Sequence, residues 1–80
     1  MDMDKLIKDF SEAHNVDGYY RRDFDIATMT MRLVVQLQRG DISVRSIYIT
    51  NRDGTIDPTH LKDRLETLYL ELERKEAANG

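Results

Sequence analysis

Apolar and polar side chains alternate through Ala27, Met29, Met31, Leu33, Val35 and Leu37, and the alternation resumes after Gly40 at Ile42 and Val44. A period of two is the mark of a strand with one buried face, so the spacing predicts an antiparallel hairpin of strands at about 26–38 and 42–50. Met29, Leu33 and Leu37 also fall four apart, which a helix would satisfy. Two threonines and the pair Val34-Val35 favour the strand, because β-branched side chains are stiff in a helix and pack well on a pleated surface.

The register follows from keeping the faces pure. A two-residue loop at Arg39-Gly40 sets Leu37 against Ile42, Val35 against Val44, Leu33 against Ser46 and Met31 against Tyr48, leaving one side almost wholly apolar. A four-residue connection keeps the same pairs. A three-residue loop would set Leu37 against Ser43 and mix the faces. Arginine is a poor former of a turn that demands positive φ.

Helical spacing appears on both flanks. Leu6, Ile7, Phe10 and Ala13 share one stripe of a helix at about 4–14, with Asp4 as its cap and Asn15-Val16-Asp17-Gly18 as its exit. Leu61, Leu65, Leu68 and Leu72, spaced four, three and four, define a longer helix at about 58–77, opened by Asp57 as N-cap and Pro58 at the first helical position. Leu70 lies off that stripe and Tyr69 flanks it. Residues 19–25 fit either a third, edge strand or an ordered loop. These elements predict one small α+β domain over 1–80, with both helices on the apolar face of a two- or three-stranded sheet.

Composition narrows the classes. Eighty residues, 40% hydrophobic and 34% charged, describe a single small domain. Such a chain buries only roughly 60% of its unfolded surface, so covering a face with a second copy would add stability, and a homodimer joined through Leu70 is one expectation. With no cysteine, disulfides, thiolate-held zinc and a cysteine nucleophile are excluded. No apolar run nears the roughly 20 residues of a membrane span, and Met1-Asp2-Met3-Asp4 is acidic where a signal peptide is basic, so the expected location is cytoplasmic, away from membranes.

The net charge of −3 is unevenly spread. Residues 1–18 carry −3 and 55–80 carry −2, while 19–54 carry +2 with six basic groups that are all arginine. Arginine suits planar, bidentate contacts with carboxylates and phosphates. Tyr19-Tyr20-Arg21-Arg22 interleaves rings with cations, as single-strand nucleic-acid platforms do, and with Arg39 it forms the set an alternative nucleic-acid-binding role would use. The overall acidic balance argues against that role.

Motifs for chemistry are weak. Aligning Gly54 of Asn51-Arg52-Asp53-Gly54-Thr55-Ile56-Asp57 with the glycine of a calcium loop puts Ile49 at the first carboxylate and His60 at the bidentate glutamate, so the loop reads as a turn. Arg39-Gly40-Asp41 spells an integrin tripeptide but reads as a hairpin tip. His60 with Asp57 and Asp63 has no second histidine nearby in sequence, and the serines have no glycine-flanked elbow. No catalytic residue, metal site or cofactor is expected. On the hairpin's other face, Val34, Ile47 and Ile49 sit among Arg32, Arg45 and small polar residues, the composition of a protein-binding patch. Cover by Tyr19-Tyr20 is the competing explanation for those apolar residues. The expected function is a non-catalytic interaction module of regulatory or inhibitor type, binding a larger protein through Arg32, Val34, Arg45, Ile47 and Ile49.

Overall fold

A computed structural model describes residues 3–50 and 55–79, the side chains of Ile49 and Asn79 excepted. Helix α1 (Met3–His14) is followed by strands β1 (Asp17–Asp25), β2 (Thr30–Arg39) and β3 (Ile42–Ile49), and helix α2 (Pro58–Asn79) closes the order. The strands form an antiparallel sheet in the order β1-β2-β3. Residues 17–25 are therefore an edge strand, and the ambiguity over 19–25 is resolved. The turn signal at Asn51–Gly54, and with it most of the calcium-loop resemblance, lies outside the described residues.

Both helices pack on one face of the sheet. Leu33, Val35 and Leu37 alternate along β2 and are completely buried, as are Leu61, Leu65 and Leu72 of α2, while Met3, Ile7 and Phe10 of α1 join the same core. Burial of these side chains is the main stabilising term, at about 25 cal/mol per Å² of apolar surface removed from water. Three details of the predicted stripe on α1 change: Met3 is buried in it, Leu6 is half-buried and Ala13 is exposed.

The hairpin register is shifted by two from the expected one. Arg39 stays in β2 opposite Ile42, so the loop is Gly40-Asp41, and Leu37 opposes Val44, Val35 opposes Ser46 and Leu33 opposes Tyr48. Gly40 takes φ 60 at the first loop position, the place a type II′ connection reserves for glycine. A shift of two preserves parity, so each side chain keeps its face. The second strand also starts later than 26. Residues 26–29 join β1 to β2, with Asp25 Oδ1 accepting from the amide of Ala27 at 3.0 Å, the Thr30 hydroxyl donating to the carbonyl of Thr28 at 3.2 Å, and Met29 at φ 54. The first two alternating residues, Ala27 and Met29, are thus exposed turn residues and not core.

The helix ends show why they lie where they do. Asn15 at φ 53 ends α1, and the amide of Val16 donates to the carbonyl of Ser11 at 3.0 Å, a six-to-one Schellman closure that drops Val16 into the core. Asp4 sits in the first turn of α1 instead of capping it, and its carboxylate accepts the Tyr20 hydroxyl at 2.6 Å. Gly18 belongs to β1 beneath α1, where an added Cβ would collide with Ser11 Oγ and come within 2.8 Å of Ile7 Cγ2. At α2 the Asp57 cap forms as predicted, with Oδ1 accepting from the amides of Thr59 at 2.9 Å and His60 at 3.4 Å. Among the described residues no helix is long and apolar enough to cross a membrane.

Candidate functional site

Because the helices share one side, the opposite side of the sheet carries no second layer among the described residues. Its rows read Tyr19, Gln36 and Arg45 across the three strands, then Arg21, Val34 and Ile47, then Asp23, Arg32 and Ile49. Strand alternation alone puts these positions on that face, each being one residue out of step with the buried Leu33, Val35 and Leu37.

The patch has a closed centre and an open surround. Val34, flanked by both edge strands, is only 8% exposed, whereas Ile47 and Tyr19 are each 53% exposed. Tyr20 points to the helix side, and Tyr19 lies across the central strand from β3, so neither tyrosine covers Ile47. Val34 is the exception to the expected surplus of uncovered apolar groups: its position on the central strand hides it. The side chain of Ile49 lies outside the described residues, so only its register position, opposite Arg32, is assigned.

The cations of this face differ in how far they are engaged. Arg21 approaches Asp23 at 3.7 Å and Arg32 approaches Asp25 at 3.9 Å, both long, solvent-screened pairs of little energetic weight. Arg32 Nε is buried without a hydrogen-bond partner among the described residues, a cost to the fold and not a donor open to solvent. Arg45 makes no ion pair or side-chain hydrogen bond among the described residues. Depressions of about 140 and 280 Å³ flank Val34, the first bounded by Tyr19, Gln36 and Arg45, the second by Asp23, Arg32 and Ile47. The acidic groups of the face, Asp17, Asp23 and Asp25, all stand on β1, so the half formed by β2 and β3 is basic and apolar.

The alternative nucleic-acid set is dispersed by the fold. Tyr19 and Arg21 share the bare face, but Tyr20 and Arg22 alternate to the helix side. Arg39 is engaged inside the molecule: its guanidinium donates to the carbonyls of His14 and, at 3.1 Å, Asn15, to Glu76 Oε1 at 2.9 Å and to the Tyr69 hydroxyl at 3.4 Å. It thereby satisfies the open carbonyl end of α1 while tying it to α2. The hydrogen bond that Arg39 donates to the Tyr69 hydroxyl raises the Arg39 pKa above its ordinary value, with the Glu76 carboxylate adding to it against the opposing effect of burial. The ring of His14 stacks on Phe10 at 4.0 Å and meets Tyr69 edge-on at 4.6 Å, completing this clasp. Sequence reasoning placed Arg39 in a turn; its role depends on a contact with a helix 37 residues further on, which no local pattern reports.

Elsewhere the chemistry is sparse. A groove of about 760 Å³ between α1 and the sheet is lined by Asp4, Lys8, Ser11 and Gln38 among others, with no histidine, and its serine hydroxyl donates to the carbonyl of Ile7 at 2.7 Å. His60 Nδ1 lies 3.9 Å from Asp57 Oδ2 at the start of α2, and no group of three or more histidine or carboxylate side chains gathers among the described residues. Comparison with protein-family models, curated proteins and solved structures gives no match. The bare face therefore stands on its own geometry.

Proposed function

We propose that this chain is a small non-catalytic interaction module, regulatory or inhibitory in action, that occludes a surface of a larger protein with the outer face of its sheet. The observation that supports this most is the placement of both helices on one side, which leaves Ile47 half-exposed beside Arg45, a cation without an ion pair among the described residues. An apolar centre of Val34 and Ile47 ringed by arginines is the layout of a binding hot spot, in which arginine and buried apolar anchors carry most of the energy. Ile49 extends the set by its register opposite Arg32.

The test is a pair of substitutions on an affinity bait made from the intact chain. Ile47→Asp and Arg45→Glu should each release a partner captured from the native host, while the circular dichroism spectrum stays unchanged. A captured protein that binds both variants as tightly as the parent would contradict the reading. So would binding to single-stranded nucleic acid whose affinity falls steeply and linearly in log-log form with salt, the signature of phosphate contacts.

A further inference from the structure

The backbone of β3 adds a donor and acceptor pattern to the side chains above it. The amide of Thr50 donates to the carbonyl of Met31 at 3.2 Å, and these residues fall in the same register as the rest of the β2–β3 ladder. In an antiparallel ladder the hydrogen-bonded pairs alternate, so Val44, Ser46 and Tyr48 face β2 with their N–H and C=O groups, while Ser43, Arg45 and Ile47 turn theirs outward. The sheet order makes β3 an edge, so those outward groups meet no further strand. The Ser43 carbonyl accepts from Lys75 Nζ at 3.3 Å, the position this alternation requires and a common way of blunting a strand edge. Among the described residues nothing is hydrogen-bonded to the outward groups of Arg45 and Ile47.

Below that edge, on the helix side, runs a shallow groove of about 300 Å³ bounded by Tyr48, His60, Asp63, Arg64 and Thr67. Arg64, like Arg45, makes no ion pair among the described residues. The open edge thus has Arg45 above it and Arg64 below it, neither ion-paired among the described residues, with Ile47 beside the first and Asp63 beside the second.

We propose that the edge of β3 accepts an extended acidic segment of a partner protein as a fourth strand. The inference rests on the reading of the outer face as a docking surface and states how the partner lies on it. Main-chain hydrogen bonds to Arg45 and Ile47 supply affinity, and alternate side chains supply specificity. One set continues the outer face, an acidic group meeting Arg45 and an apolar one meeting Ile47. The other set drops toward the groove, where Arg64 stands beside Asp63, so the preference for an acidic segment is carried by Arg45. The alternating donors and acceptors of a strand edge match a peptide backbone and not a phosphodiester chain. A second copy of this chain fits less well, because a two-fold pairing of β3 with itself would bring Arg45, Arg64 and Lys75 of both copies onto one seam.

The test is amide hydrogen exchange of the intact chain, residue by residue, with a synthetic peptide of glutamate and valine. Alone, the amides of Arg45 and Ile47 exchange fast while those of Val44, Ser46 and Tyr48 are slow. With the peptide, both fast amides gain about tenfold protection or more. The same peptide with lysine for glutamate, or with alternate amides N-methylated, gives none. Ile47→Pro removes an outward donor without touching the ladder to β2 and weakens the peptide about fivefold; Arg45→Glu weakens it similarly and covers the case in which the proline variant fails to fold. Binding that leaves both amides exchanging freely overturns edge docking while the outer-face reading stands. Absence of binding, equal binding of the lysine peptide, protection conferred by a single-stranded oligonucleotide, or protection in the free protein that dilution removes overturns the proposal. The outer-face reading fails separately if Ile47→Asp leaves partner capture intact.

Discussion

Leu65 shows what a single residue contributes here. It is completely buried in the core beneath α2, and its truncation leaves a cavity that a small domain has little reserve to absorb. Leu65→Ala should lower stability by about 3 kcal/mol in chemical denaturation, a large share of the margin of a domain this small. Met29 works in the opposite direction. It holds φ 54 with its side chain exposed, so glycine there removes left-handed strain at no cost in packing. Met29→Gly should raise stability by up to about 1 kcal/mol, and a loss instead would mean that the turn is held by the methionine side chain. The leucine stripe of α2 was legible because its period is local. The Met29 turn was not, because Ala27, Thr28, Met29 and Thr30 continue the alternation of the strand with no glycine or proline to break it.

At the scale of elements, each joint is held by a different device. Asp57 caps α2, and Asp57→Ala should cost about 1 kcal/mol. The C-terminus of α1 depends instead on Arg39, whose fork spans two carbonyls, a carboxylate and a hydroxyl from α1, the residue that follows it and α2. Arg39→Lys should not rescue Arg39→Ala, since an ammonium cannot present the same planar set of donors; both variants should lose about 1–3 kcal/mol, with exchange of the last amides of α1 accelerated first. Asp57-Pro58 announces its cap in two adjacent letters. Arg39 announces nothing, because its partners, Tyr69 and Glu76, lie at the far end of the chain. The two-residue error in the hairpin register has a similar source: both registers keep the apolar faces together, and only the left-handed demand at Gly40 separates them.

For the whole molecule the consequential fact is asymmetry. One side of the sheet is covered by two helices, and the other presents Ile47, Arg32 and Arg45 around the hidden Val34, with no second layer among the described residues. Parity made this face readable from sequence, since assigning Leu33, Val35 and Leu37 inward forces Val34 and Ile47 outward. How much of it is open was not readable: burial of Val34 depends on strand order, which put it in the middle of three strands with β1 added at the side. The central claim is that this face is spare for folding and needed for binding. The measurement that tests it most directly pairs equilibrium unfolding with affinity for the captured partner, in a variant carrying Arg45→Glu and Ile47→Asp together. The unfolding free energy should stay within about 0.5 kcal/mol of the parent while affinity falls about a hundredfold or more. A collapse of stability with the substitutions, or a partner held as tightly as before, would contradict the account.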